Sequence, residues 1–300
     1  MKSDLAVAFV GRLVSGIEPL PQRTWEVLRD LVDAEFSPEQ LIDWCERSLG
    51  PDDVRRIKHL WDHREGAWAQ VEALKAVGIR VVTEFDDEYP PNYPLKLGHR
   101  APPVLFVLGQ IPRFDKLPVA VVGSRDADEP GLAFAAELGR EIAGKGRVLV
   151  SGCARGVDAS AMDAAFEAGG SVVGVVADSL ARIAEQPPHK ERAATGRWTL
   201  ISHHHPSAPF SVGRAMARNK LIFGMAECAI AVSCVVDSGG TWAGAVEALE
   251  NDYCRLLVRI DEHAPDDNRS LVPKGAVALP SPSQLWETRA TAPKAQGELL

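Results

Sequence analysis

No apolar run in the 300-residue chain approaches the roughly 18 residues of a membrane span. Met1 to Gly16 lacks the charged start, apolar stretch and cleavage site of a secretion leader, so the expected compartment is the cytoplasm. The five cysteines (Cys45, Cys153, Cys228, Cys234 and Cys254) are odd in number and form no CxxC pair, which argues against a disulfide framework and a zinc site. Neither GxGxxG nor GxxxxGK[ST] occurs, so a redox dinucleotide fingerprint and a P-loop are both disfavoured. Aromatic residues make up only 6%, although seven are Trp, and there is no internal repeat. Basic charge is also in deficit: the formal net charge is -8, which excludes a protein that coats nucleic acid by general basicity.

The cations that are present are gathered. Arg192 to Ala226 contains no Asp or Glu but holds Arg192, Arg197, Arg214, Arg218 and Lys220, with His203, His204 and His205 in the same stretch. A second acid-free stretch, Tyr89 to Phe114, holds Lys96, Arg100 and Arg113. Such partition is what an anion site on an acidic protein requires. The apolar share of 46% is enough for a sizeable core.

Residues 1–76 read as a small helical domain. Apolar spacings of three and four run through Thr24 to Ala34, Ser37 to Ser48 and Pro51 to Val77, and Ser37-Pro38-Glu39-Gln40 has the form of a capped helix start. Packing or dimerisation is the role expected of this unit, with a DNA-binding helical hairpin as the alternative. From Gly78 the pattern changes to short β-branched runs alternating with helical stretches. Strands are expected at Ile79 to Val82, Val104 to Leu108, Val119 to Val122, Val148 to Val150, Val172 to Val176, Thr199 to Ile201, Ala229 to Val232, Leu256 to Val258 and Val277 to Leu279. Helices are expected at Leu132 to Ala143, Val157 to Ala168, Gly213 to Met225 and Thr241 to Leu249. Short apolar strands interleaved with helices imply an α/β domain, residues 77–289, built on a mostly parallel sheet buried on both faces. Residues 290–300 read as a flexible tail.

Ligands of such sheets bind at the carboxyl ends of the strands. Gly123-Ser124-Arg125 follows one expected strand and supplies a flexible backbone, a hydroxyl and a planar cationic fork. Ser151-Gly152-Cys153-Ala154-Arg155-Gly156-Val157-Asp158 follows the next and opens a helix, whose free N–H groups favour an anion; Asp158 could cap that helix or hold Arg155. Arg218-Asn219, followed by Lys220, lies within a helix and taken alone reads as a surface pair. Asp237-Ser238-Gly239-Gly240-Thr241 opens a further helix with hydroxyls and backbone amides, and Glu247 stands six residues beyond Thr241. No catalytic residue, metal ligand or cofactor is assigned. His203-His204-His205, if on a strand, would alternate faces and could not converge on one ion.

These motifs in this order resemble the DprA/Smf family of the Rossmann-like SLOG superfamily. The family pattern is a GSR turn, an SGxARGxD loop, an RN pair on a helix and an SG-rich turn; Asp86, Tyr89-Pro90 and Pro102 to Phe106 also look like its lead-in. The similarity covers roughly residues 78 to 280. It implies a Rossmann-like, doubly wound domain that binds single-stranded DNA, dimerises and passes strands to the recombinase RecA in natural transformation. By similarity, Arg125 and the Ser151 to Gly156 loop would hold backbone phosphates, with Arg218 and Asn219 lining the same pocket. Three positions depart from the pattern. Met162 stands where the family has His, Ala215-Met216 where it has Phe-Pro, and Ser233 where it has Glu. The missing aromatic would be a base-stacking platform, for which Phe210 or Trp242 are the candidate substitutes. The expected function is a single-stranded-DNA-binding mediator without catalysis. The alternative is a nucleotide-ligand sensor or nucleotide N-glycosidic hydrolase of the same superfamily, of whose GGxGTxxE turn Ser238 to Glu247 is a loose echo.

Overall fold

The computed structural model describes residues 2–14, 16–33, 37–114 and 117–287, without the side chains of residues 32, 33 and 38; the expected tail at 290–300 lies outside the described residues. Among the described residues five helices come first: α1 (Lys2–Val10), α2 (Gln22–Asp33), α3 (Pro38–Ser48), α4 (Pro51–Asp62) and α5 (Arg64–Ala76). The Ser37 signal is realised in full: its hydroxyl accepts from the Gln40 amide while the Gln40 side chain accepts from the Ser37 amide. The stretch expected as one helix from Pro51 to Val77 is two helices. His63 leaves the helical region (φ -103°, ψ 12°) and serves as both the end of α4 and the start of α5. The bundle is fastened to the segment just past Thr83, because buried Trp25 donates its indole N–H to Glu84 Oε1 at 2.7 Å and Ser3 Oγ donates to Asp86 Oδ1 at 2.8 Å.

Beyond Gly78 the described residues form nine strands: β1 (Ile79–Thr83), β2 (Val104–Leu108), β3 (Val119–Val122), β4 (Val148–Ser151), β5 (Ser171–Val175), β6 (Trp198–Ser202), β7 (Cys228–Ala231), β8 (Arg255–Arg259) and β9 (Val277–Leu279). They form one sheet in the order β1-β2-β6-β5-β4-β3-β7-β8-β9. The strands from β6 to β9 in that order are parallel, and β2 runs antiparallel to both β1 and β6. Between them run α6 (Asn92–Leu97), α7 (Glu129–Gly144), α8 (Val157–Glu167), α9 (Leu180–Ala184), α10 (Pro187–Ala194), α11 (Val212–Met225) and α12 (Gly239–Glu250). The short helices α6, α9 and α10 were not anticipated; α10 buries none of its residues, so it carries no amphipathic signal.

Strand alternation sorts the sheet's side chains into two apolar layers. Val119, Val121 and Leu149 face the layer that holds α7, α8 and the N-terminal helices, including Leu5, Phe9, Trp25 and Leu28. Ala120, Val122, Val148 and Val150 face the layer of α6, α11 and α12. The chain winds from β3 through β4 and β5 to β6, then returns to place β7 on the other side of β3. The strand order therefore reverses between β3 and β7, and the carboxyl ends of those two strands flank a crevice.

Candidate functional site

The turn after β3 and the turn after β4 are interlocked. The Ser124 carbonyl accepts the Val157 amide at 3.2 Å, and the Ser124 hydroxyl accepts the Asp126 amide at 3.1 Å. Gly156 sits at φ +81°, and a Cβ there would stand 2.5 Å from the Ser124 carbonyl oxygen. This glycine admits another piece of the protein rather than a ligand. The same holds for Gly152, where a Cβ would lie 1.4 Å from Nη1 of Arg218. The Ser151 side chain, expected at a phosphate, is fully buried and donates to the Val121 carbonyl at 2.7 Å, so it braces β4 against β3 and is not brought to the cleft. Asp158 is buried as well. Its Oδ2 accepts from the amides of Gly152 (3.1 Å) and Ala154 (3.3 Å), so it organises the loop; Arg155 pairs elsewhere. Burial raises the Asp158 carboxyl above its ordinary range, opposed chiefly by the charge of Arg218. Cys153 takes φ +56°, and burial pushes its thiol up to about 12, which keeps it protonated.

Arg218 is 5% exposed, projects from α11 over Gly152 toward Asp158, and its Nε has no hydrogen-bond partner among the described residues. Burial lowers its proton affinity, and Asp158 restores part of it. The expectation of a surface pair at Arg218-Asn219 is thus overturned, because α11 turns that face toward the sheet. Asn219 donates Nδ2 to the Gly240 carbonyl at 2.8 Å and ties α11 to the start of α12. Lys220 is not brought to the crevice; its charge bears instead on His203 and His204.

The turn after β7 is built differently. Cys234 and Val236 give their amides to Asn268 Oδ1 and Asp267 Oδ2, both 3.0 Å, which anchors the start of the turn to a 3-10 stretch at Asp266–Lys274. Ser238 stands at the N-cap of α12 with no side-chain capping bond, and Gly239 (φ +75°) has open space where a Cβ would be. This helix start offers its hydroxyl and amides to the crevice. Glu247 lies on a later turn of α12, with Tyr253 Oη 3.4 Å from its Oε1, and does not line the crevice. The echo of a hydrolase turn is therefore not assembled.

The crevice itself has two chambers. One, of about 380 Å³, is lined by Gly123, Ser124, Arg125, Asp158, Arg218, Asn219 and Ser238 to Thr241; the other, of about 330 Å³, by Arg125, Gly152 to Arg155 and Asp178. Arg125, Ala154, Phe210 and Arg218 belong to both. Arg125 is exposed, with its guanidinium carbon 4.9 Å from the centre of the Phe210 ring, so the two form a partition. Arg155 is exposed on the rim and paired with Asp126 at 2.7 Å. Of the two aromatic candidates, Phe210 stands in the crevice at 42% exposure, whereas Trp242 is a core residue. Exposed Val212, Met216 and Val235 add an apolar rim, of which the motif reading had named only Met216, as a departure from the family's Phe-Pro. His203 and His204 lie in the turn past β6 rather than on a strand, with ring centroids 3.8 Å apart.

Residues 80–290 match the family model for DNA recombination-mediator protein A. The chain is 30% identical to the DNA processing protein DprA of Bacillus subtilis over 222 residues, 72% of this chain and 73% of that protein. It is 25% identical to protein Smf of Synechocystis over 80% of this chain and 69% of that one, and the match to a Mycobacterium tuberculosis relative spans 59% of that protein. The fold is similar to the X-ray structure of DprA from Streptococcus pneumoniae (TM-score 0.73, 20% identity, 97% of this chain and 98% of that one). It is also similar to a Helicobacter pylori DNA processing protein A described for its single-stranded DNA binding mode (TM-score 0.56, 21% identity, 69% and 94%). The likeness to the pneumococcal fold thus takes in the N-terminal helices, which lie outside the stretch carrying the motifs. The matched stretch and the ordered GSR, SGxARGxD, RN and SG-rich motifs together establish that this chain belongs to the DNA recombination-mediator protein A (DprA/Smf) family of DNA-processing proteins.

Proposed function

We propose that the protein binds single-stranded DNA without catalysis, and that a backbone phosphate sits in the crevice between Arg218, Arg125 and the amides at the start of α12. The observation that carries this reading is the position of Arg218: a buried guanidinium on a floor common to both chambers. A buried cation whose neighbouring carboxyl, Asp158, is already engaged by two backbone amides is stabilised by an anion entering from the open side. Arg125 and Arg155 extend the cationic surface to the rim. Phe210 and Met216 provide apolar faces on which bases can stack, worth about 1–3 kcal/mol per stacked base. Family membership and the single-stranded DNA binding ascribed to the Helicobacter pylori relative support the choice of ligand. The same reading makes the protein a cytoplasmic homodimer that hands the bound strand to a recombinase of the RecA kind.

The test is oligonucleotide binding by fluorescence anisotropy across a salt series. Wild type should bind, with log K falling linearly against log salt. Arg125→Ala and Arg155→Ala should each weaken binding and flatten that slope by about 0.7, the value for one single-strand phosphate contact. Absence of binding at low salt would overturn the reading.

A further inference from the structure

The second chamber of the crevice has a lining that a phosphate does not explain. It lies between the turns after β4 and β5, and its volume of about 330 Å³ is at the lower end of the roughly 300–1,000 Å³ of small-molecule sites. Val176, Ala177, Ile183 and Phe210 give it apolar walls. Its charged lining is Arg125, Arg155, Arg218 and one acid, Asp178, the only one there among the described residues. A carboxylate opposes an anion, so its place in this chamber points to a ligand group that donates hydrogen bonds. Asp178 is fixed in position. Its Oδ1 accepts the Ser179 amide at 2.8 Å and the Phe210 amide at 3.0 Å, which occupies that oxygen and ties the carboxylate to the partition formed by Phe210 and Arg125. Its Oδ2 accepts from Arg182, whose side chain is 61% exposed. A carboxylate oxygen takes two donors, so Oδ2 keeps an acceptor position for a group in the chamber. A nucleobase combines a flat apolar body with a polar edge, which suits these walls and this acid. Guanine carries adjacent donors, N1–H and N2–H, on one edge and the acceptors O6 and N7, which a guanidinium fork can grip, on another. Thymine has a single ring donor, N3–H, flanked by two carbonyl oxygens that a carboxylate repels.

We propose that the second chamber receives one base of the bound strand and that Asp178 makes it selective, favouring guanine and disfavouring thymine. This inference rests on the single-stranded DNA reading and deepens it. Arg218 lines both chambers, so a phosphate held on it in the first and the neighbouring base in the second occupy the crevice together. The base meets Oδ2 of Asp178 with a donor edge, while Arg125 or Arg155 serves its acceptor edge.

The experiment compares four oligomers of about ten nucleotides, a typical single-strand site size, by fluorescence anisotropy. One is all thymidylate; the others carry a single central guanine, adenine or cytosine in thymidylate. A strand held by its backbone can shift until the favoured base reaches the chamber, so one guanine suffices. Wild type should bind the guanine oligomer about tenfold more tightly than the all-thymidylate one, within the range for one base-edge contact, with adenine and cytosine between. That ratio should hold from about 50 to 200 mM salt, because a base contact releases no counterion. Asp178→Asn keeps an oxygen for the Ser179 and Phe210 amides but places an amide donor where Oδ2 was. It should lose the guanine preference and turn toward thymine, whose carbonyl oxygens that donor can meet. Arg182→Gln removes only the outer partner of Asp178 and should keep the preference for guanine. Equal wild-type affinity for the guanine and all-thymidylate oligomers, a guanine preference that survives Asp178→Asn, or one abolished by Arg182→Gln would each overturn the selective chamber and leave the crevice reading standing. Failure of wild type to bind any of the four at low salt would instead remove that reading.

Discussion

The turn after β4 and the turn after β7 look alike as strings of Ser and Gly, yet they do opposite work. In the first, Ser151 is spent on Val121, the Gly152 and Ala154 amides on Asp158, and the space beside Gly152 on Arg218. In the second, the N-cap hydroxyl of Ser238 makes no capping bond and Gly239 faces open space. One turn holds the crevice in shape; the other is left available to a ligand that enters it. A small residue after a parallel strand can serve either purpose, and what decides is whether a protein atom already fills the vacancy.

The largest effect that could break this contrast is Gly152→Ala. Its methyl group must displace the Arg218 guanidinium, at a cost of about 3 kcal/mol from overpacking and a disrupted buried pair. A chemical denaturation midpoint well below wild type, with oligonucleotide binding abolished, is expected. Gly239→Ala meets no neighbour and pays only for a left-handed backbone, about 1 kcal/mol, so near equality of the two variants would refute the contrast. Next comes Ser151→Ala, which leaves the Val121 carbonyl unpaired in the core and should cost about 1–2 kcal/mol in the same measurement. Ser238→Ala should leave that midpoint in place while weakening oligonucleotide affinity severalfold, because it removes a donor that the free protein does not use. A smaller effect concerns acid. His203 and His204 have depressed proton affinity in the fold, so the unfolded chain binds more protons, and stability is lost as pH falls below the ordinary histidine value of 6.5. Thermal midpoints measured from pH 7.5 to 5.5 should drop less in the His203→Gln/His204→Gln variant than in wild type. The smallest change is Asp126→Asn. Its ion pair with Arg155 is more than two-thirds exposed on both sides and contributes next to nothing to stability, so the midpoint should hold while freed Arg155 improves oligonucleotide affinity slightly.

Much of the architecture was legible because its causes are local. Short β-branched runs such as Val119 to Val122 can only be buried strands between helices, and Ser37 with Gln40 carries its own capping instruction. The strand order was not legible, since the return of β7 beside β3 depends on contacts far apart in sequence, nor was the antiparallel attachment of β2 to β6. At the site, motif spacing identified the turns but not the duties within them. Ser151 was expected at a phosphate and instead faces the Val121 carbonyl, because a side chain's direction at the end of a strand is set by its neighbours in the sheet, and Asp158, read as a helix cap or a partner of Arg155, holds the loop amides of Gly152 and Ala154 instead. Arg218 read as a surface residue except by family resemblance, since nothing in a helical sequence marks which cation will be turned inward. Phe210 and Trp242 were equal candidates to replace the family's stacking aromatic; the burial of Trp242 and the place of Phe210 beside Arg125 required the fold.

A crystal structure of the protein with a bound oligothymidylate tests the central claim most directly. The account predicts a backbone phosphate within hydrogen-bond reach of Arg218 and of the amides at the start of α12, with Arg125 alongside and the β4 turn unmoved. DNA lying on another face, with the crevice between β3 and β7 empty, would contradict it.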